Sequence, residues 1–374
     1  MLSARPAICL NMIVRNESAL IERCLAAAAA HIDCYVICDT GSTDDTVEKI
    51  RMFFAARNIP GVIAQTTFHN FEQARNFALD AARVSDLEFD YLLLCDADME
   101  LVVERPRFRE ELAGMPYLVS QRSAGGDLHY QNLRLVPRHC PAHYRGVTHE
   151  YLDVTPADRV GFDGIWFRDH AAGANRTDKF DRDIALLTEG LRAEPDNERY
   201  VFYLANTYFD AGQPAEAMTW YGKRVQMGGW AEEIFYSSYR IGGCLERLGR
   251  DTEMITQYLQ TYQRFPHRAE PLHALAQFYQ RRSENHLAFL FADAGLRVPL
   301  PPDGALFVEA QVYAWRLTDI VAVSLYWMGH PGEAAALNRR LLKIVPEDTR
   351  GRIQTNLEFC ETSLRPGGQS LMSM

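Results

Sequence analysis

The chain has 374 residues, 47 % of them hydrophobic and 24 % charged, an ordinary balance for a globular protein of two or three domains. A formal net charge of −10 argues against broad binding to nucleic acid or to an anionic lipid surface, though it leaves room for a local basic pocket. Neither a leader nor stable membrane insertion is expected, because Asn11 interrupts "ICLNMIV", "RNE" closes it, and "CLAAAAA" is far too short to span.

The first hundred residues alternate strand and helix patterns. Ala7 to Val14 reads as an apolar strand, followed by a helix from about Glu17 to Ala30. "CYVICD" is a second strand and "STDDTVEKIRMFFAAR" a second helix, with Ser42 and Asp45 at capping-box spacing. "GVIAQTTF" is a third strand, and Asn70, with Gln73 three residues on, is placed to cap the helix "FEQARNFALDAARV". Tyr91 to Cys95 is the fourth strand and runs into Asp96 and Asp98. Near-continuous apolar strands alternating with helices predict a parallel sheet covered on both faces. After Glu100 the pieces "YLVSQR", "LHYQNLRLVPR" and "GVTHEYLDV" follow without a long helix between them. They predict an antiparallel or mixed addition to the sheet, ending near "GIWFRDH".

From about Asp181 the chain reads as helical to its end. "YFDAGQPAEA", "LERLGRDTEM", "YQRRSENHLA" and "YWMGHPGEAA" share a pattern, with Gly212, Gly249, Ser283 and Gly329 at one turn position, 37, 34 and 46 residues apart. The first two intervals are near the tetratricopeptide period, and the third holds the extra loop "VPLPPDGA". The domains are therefore set at 1–175 and 176–374, with "DHAAGANRTDK" as the joint. In "MGGWAEEIFYSSYRIG", Trp230, Phe235, Tyr236 and Tyr239 form an aromatic stripe of the kind that packs a core; an acceptor surface or a homodimer contact through the helical domain is the alternative. The eight cysteines form no CxxC pair, and Cys38 and Cys95 lie inside apolar runs as reduced thiols do, so a cytoplasmic location is expected.

Open parallel sheets bind ligands at the carboxyl ends of their strands, and four polar features fall there: "IVRNE", "CDTGSTDD", "QARN" and "CDAD". Asp39 can accept hydrogen bonds from a base or a ribose, or merely stabilise its turn. Asp96 and Asp98 repel one another and resist burial, and a divalent cation shared with an anionic ligand would relieve both.

Together, "MIVRNE", "DTGSTDDT", "FEQARNFAL" and "LLLCDADME", in this order and spacing, resemble family 2 glycosyltransferases with the GT-A fold, over roughly residues 7 to 170. The resemblance implies a GT-A type, Rossmann-like mixed sheet, here followed by an all-α tetratricopeptide-like domain. It assigns Asp96 and Asp98 to a metal (Mn²⁺ or Mg²⁺) and the donor diphosphate, Asp39 to the base, usually uracil, Arg75 to the nucleotide, and Ile13 to Arg15 to lining the base. A late histidine, His170, would join the metal. For the acceptor side, "RGVTHEYLD" offers Glu150 first as general base, then His149, with Asp153 nearby; the family more often uses an Asp from another motif. If that segment is extended, Glu150 and His149 face opposite sides. Lys179 and Arg182 could clamp phosphate or belong to a solvated face.

The expected function is metal-dependent, inverting transfer of a sugar from a UDP-sugar to an acceptor: a glycan, a peptide or another hydroxyl or thiol. The competing reading is a non-catalytic repeat scaffold with an inactive transferase domain. A nucleotidyltransferase would carry a glycine-rich loop after strand one, whereas "VRNESA" has no glycine.

Overall fold

The computed structural model describes residues 5–123, 129–155, 158–170, 179–302 and 304–365. They form two compact units, Met1–Ala193 and Glu194–Met374. The boundary expected at 175/176, and most of the joint from 169 to 179, lie outside the described residues.

The first unit is built on an eight-stranded mixed sheet. Strands β1 (Ile8–Val14), β2 (Cys34–Asp39), β3 (Gly61–Gln65) and β4 (Tyr91–Leu94) run parallel, in the order β3-β2-β1-β4. Beyond β4 come β7 (His129–Pro137), β6 (Tyr117–Ser123), β10 (Val160–Asp169) and β5 (Met99–Val103), which are antiparallel to their neighbours except for the parallel β6–β10 pair. Strand β5 was not expected from the sequence. Strands β8 (Ala142–Arg145) and β9 (Tyr151–Val154) form a separate hairpin, so "GVTHEYLDV" is a strand only over its last four residues.

Alternation along β1 divides the core. Ile8, Leu10, Met12 and Val14 face helices α1 (Ile21–Ala29) and α2 (Thr46–Ala55), while Cys9 faces helix α3 (Phe71–Val84) and the β8–β9 hairpin. Asn11, the residue that interrupts the first apolar run, is buried on the α3 side; its amide donates to the carbonyls of Val36 at 3.1 Å and Ala78 at 2.9 Å. Ala74, Ala78 and Ala82 line the buried face of α3, so the helix lies close enough to the sheet for that bond. The cap is as expected: Asn70 Oδ1 accepts from the Gln73 N–H at 2.8 Å. The capping box on α2 does not form. Ser42 Oγ accepts from the Asn16 N–H instead, and Asp44 Oδ1 takes the Thr46 N–H at 3.1 Å. Helix α4 (Lys179–Ala193) completes this unit.

The second unit is all-α: α5 (Glu198–Asp210), α6 (Pro214–Met227), α7 (Ala231–Arg247), α8 (Asp251–Arg264), α9 (Glu270–Arg281), α10 (Asn285–Leu296), α11 (Leu317–Trp327), α12 (Pro331–Leu341) and α13 (Glu347–Ser363). Each helix packs on the next, and α5 also touches α7, as α9 does α11, the stacking of helix pairs expected of repeats. The four aligned turn residues share one backbone conformation, with φ of 74° at Gly212, 68° at Gly249, 60° at Ser283 and 87° at Gly329. The aromatic stripe on α7 is partly core: Phe235 is buried, whereas Trp230 at the helix start is 51 % exposed. Among the described residues no helix is long and apolar enough to cross a membrane.

Candidate active site

The parallel strands deliver Arg15, Asp39 and Asp96 to one edge of the sheet. Ile13 is half-buried beside Cys38, and Arg15 is exposed at the end of β1. Asp39 is 4 % exposed, and its Oδ1 accepts from the Ser42 N–H at 3.0 Å across a turn made possible by Gly41, at φ 105°. The bland role foreseen for Asp39 is therefore real for one oxygen. Asn16, at φ 54°, ties this loop to the end of β1, accepting from the Thr43 N–H at 2.8 Å.

Asp96 has a different setting. Its Oδ1 lies 2.7 Å from Arg75 Nη2 and its Oδ2 lies 3.0 Å from Arg134 Nη2. Arg75 also bonds Glu150 through Nε. Two guanidinium groups and two carboxylates thus form a neutral, largely buried network. Burial works against ionisation of Asp96, but Arg75 and Arg134 outweigh it and hold the carboxyl well below the usual carboxylate range. Burial likewise opposes the charge on Arg75, and Asp96 and Glu150 more than restore it. The repulsion that the sequence poses at Asp96 is therefore offset by arginines.

Arg134 was not foreseen. It sits in the apolar run "NLRLV" of β7, at a shift in register: Tyr117 pairs with Leu135 and Leu118 with Leu133, leaving Arg134 as the extra residue of a bulge. The bulge turns its side chain toward Asp96. Gln121, fully buried on β6, accepts from Arg134 Nε and Nη2 at 3.3 and 3.2 Å and from Asn132 Nδ2 at 2.7 Å. Tyr144 of β8 presents its ring to Arg75 at 5.4 Å. A charged residue inside an apolar strand is the signal that could have flagged Arg134.

Glu150 and His149 lie in the bend between β8 and β9, not in a strand. His149 has φ 52° and Gly146 φ 113°, so the opposite-sides expectation for an extended segment does not apply. Glu150 borders an open cleft of about 140 Å³, together with Arg75, Arg134, Tyr144, Tyr151 and Arg159. Asp153 pairs with Arg145 along the hairpin at 3.3 Å. Asp98 is half-buried, and its carbonyl accepts from the His170 N–H at 3.2 Å. The His170 ring bonds Glu100 at 3.0 Å, and with Arg168 it holds the Glu100 carboxyl below its usual range. Arg182 pairs with Asp183 at 3.1 Å and lies 5.1 Å over the Phe71 ring, and Lys179 is exposed at the start of α4. These contacts favour the structural reading of Arg182 over a phosphate clamp.

Among the described residues, no three His, Cys, Asp or Glu side chains converge as a metal cage. Both oxygens of Asp96 meet guanidinium groups. A cation held here would therefore have to draw most of its ligands from substrate phosphates and water, in the manner of Mg²⁺, rather than from an all-protein site.

Residues 9–105 match the family described as Glycosyl transferase family 2. Within the first unit, this stretch is similar to family 2 glycosyltransferase domains. The matched stretch holds Asp39, Arg75, Asp96 and Asp98 but ends before Arg134 and Glu150. The chain is 29 % identical over 158 residues to a TPR repeat-containing protein of Synechococcus elongatus, covering 40 % of this chain and 36 % of the relative. It is 23 % identical over 239 residues to the SPbeta prophage-derived glycosyltransferase SunS of Bacillus subtilis, covering 60 % of this chain and 54 % of the relative. The chain thus spans about a third to about half the length of these curated relatives. Among solved structures, residues 1–349 of Staphylococcus aureus TarS align at 14 % identity, over 70 % of this chain and 92 % of that one, with a TM-score of 0.37.

Proposed function

We propose that this protein transfers a sugar from a nucleotide-diphosphate sugar, with UDP as the nucleotide, to a hydroxyl or thiol acceptor on a glycan, a peptide or another small molecule. The observation that carries this reading is the family 2 match over 9–105, which encloses the ends of β2 and β4, on either side of β1, that carry Asp39 and Asp96. Asp39, with one oxygen committed to its turn, has the other for the base or ribose, and Ile13 and Arg15 flank it. Asp96 keeps Arg75 and Arg134 ionised and aimed at the same edge, where two guanidinium groups stabilise the charge that develops as the diphosphate leaves. A divalent cation, Mg²⁺ or Mn²⁺, drawn to Asp98 with His170 close by, would supply Lewis-acid help at the phosphates when bound. Glu150 stands at the cleft where an acceptor hydroxyl would enter, and an inverting reaction needs a base there; His149 is the neighbouring candidate.

The test is a donor screen: release of UDP or GDP from a panel of nucleotide-sugars, with Mn²⁺ or Mg²⁺ and with excess chelator. UDP release that needs the cation and is lost in Asp98→Ala is the expected result. Turnover undiminished by chelator would remove the cation from this reading. Failure to bind any nucleotide-sugar would favour the scaffold reading.

A further inference from the structure

The cleft that Glu150 borders holds more positive charge than the network behind it matches. Arg75 and Arg134 are balanced by Asp96 and Glu150, which bond them directly. Arg159 lines the same cleft, and among the described residues no carboxylate pairs with it, its neighbour Asp158 included. Sheet pairing fixes where it sits, because Val160, which follows it, pairs with Tyr117 at the start of β6. A second group in this wall is also unengaged. Tyr144 lies against Arg75 and is only 7 % exposed, yet its hydroxyl makes no hydrogen bond among the described residues. Burial pushes the phenol up, so the hydroxyl stays protonated and able to donate. Its backbone is pinned by Asn76 of α3, whose amide donates to the Tyr144 carbonyl at 2.9 Å and accepts from the Tyr144 N–H at 2.7 Å. Buried polar groups normally have partners, so a fixed hydroxyl without one, in the wall of a cleft, is a group for a ligand to meet. Leu133 and Leu152 line the cleft as well, and apolar side chains beside a guanidinium group strengthen its hold on an anion. On a chain of net charge −10, such a spot stands against the overall field.

We propose that this cleft selects an acceptor that carries a carboxylate or a phosphate beside its nucleophile, with Arg159 taking the charge and the Tyr144 hydroxyl donating to an oxygen of the same molecule. The inference rests on the transferase reading above and narrows it to acidic acceptors. A guanidinium group presents a planar fork that fits either anion, and hydrogen bonds to charged groups are the stronger kind. Arg75 and Arg134 are already engaged by Asp96 and Glu150, so Arg159 is the cation left to read the acceptor. A neutral acceptor leaves Arg159 in water and gains nothing from it, whereas an acid gains a charge pair. The preference is therefore an attraction to acids and not a barrier to neutral molecules.

The experiment titrates the full chain by calorimetry at low salt, with and without saturating UDP and Mg²⁺. Two pairs of probes differ mainly in one acid group: methyl glucuronide against methyl glucoside, and glycerol 3-phosphate against glycerol. In the unaltered chain at least one acid should bind about tenfold or more tightly than its neutral partner, and the better of the two acids tells carboxylate from phosphate. Arg159→Gln should remove that preference and Arg159→Lys should keep part of it. Tyr144→Phe, which preserves the ring, should weaken the acid by about fivefold or more; circular dichroism must show native structure in every variant scored. Equal binding within both pairs overturns the proposal, as does a preference that survives Arg159→Gln, or no acid binding up to a concentration on the order of 10 mM. Acids that bind only when UDP is absent would give the site to the donor diphosphate and overturn it too. Binding is read without sugar transfer, so a failure here beside a successful donor screen rejects the acidic acceptor alone. A failed donor screen beside intact, Arg159-dependent acid binding rejects the transferase reading, and with it the role of acceptor.

Discussion

Asp96 meets two arginines that reach it from different elements, Arg75 on α3 and Arg134 on the β7 bulge, and this division decides what single substitutions do. Arg134→Met leaves Asp96 Oδ2 without its guanidinium donor and the Gln121 carbonyl with Asn132 alone. It should cost about 1–3 kcal/mol, read as a lower urea midpoint at unchanged slope; a cost below about 0.5 kcal/mol would mean that water reaching Asp96, 23 % exposed, replaces the arginine. Glu150→Gln keeps an oxygen for Arg75 Nε but removes the basicity. If Glu150 is the base, kcat should fall on the order of 10²–10⁴ with donor KM little changed; an unchanged kcat, with His149→Ala inactive, moves the role to the histidine. Ser283 holds, without being glycine, the left-handed turn conformation that glycine fills at the three other aligned turns. Ser283→Gly should raise stability by about 0.5–1 kcal/mol, measurable as a higher Tm. Asp39, Arg75 and Asp96 were legible because each follows a strand or opens a helix in a short, quotable motif. Arg134 was hidden because its direction depends on a bulge, and a bulge is fixed by pairing with β6, which lies elsewhere in the sequence.

At the level of the element, α3 links local sequence to the site. Asn70 caps it, Gln73 reaches back toward His69 and to Thr66, and Arg75 follows one turn later. Asn70→Ala should cost about 1 kcal/mol and, by loosening the first turn, weaken donor binding as well; unaltered affinity for UDP would show that the sheet alone positions Arg75. Helix α9 carries a second test. Burial, with Arg316 adding, brings the His273 imidazole from 6.5 to about 4. The folded value lies below the unfolded one, so the unfolded chain takes up its proton first. Stability is unaffected above about pH 6.5 and is lost as pH falls from there to about 4, by roughly 3 kcal/mol in full. Compared with His273→Leu, the unaltered chain should lose this increment across that window in urea titrations; parallel curves would contradict it. The helix α3 and its cap could be read residue for residue from amphipathic spacing and Asn70. The hairpin β8–β9 could not, because Gly146 and His149 turn the chain inside what composition presents as one continuous strand.

At the scale of the whole molecule, each unit has its own apolar core: the two faces of the sheet in one, and the stacked helices in the other. A chain ended at Ala193, once shown to be soluble, should bind UDP about as tightly as the full chain; a loss beyond about tenfold would refute the assignment of nucleotide recognition to the first unit. The mixed sheet and the repeat array were both legible from periodicity, but β5 was not, since "MELVV" follows the aspartates directly and its pairing with β10 spans more than sixty residues. The strand order also has a temporal meaning. A ribosome releases β1 to β4, with Asp96 at their end, well before Arg134 has been made, because β4 takes its outer neighbour from residues 129–137. Until that later strand docks, the nascent sheet has an open edge beside a carboxylate with half its counter-charge missing. The matched stretch 9–105 therefore has to wait for residues outside it, and chaperone capture or misassembly should concentrate in that interval of synthesis.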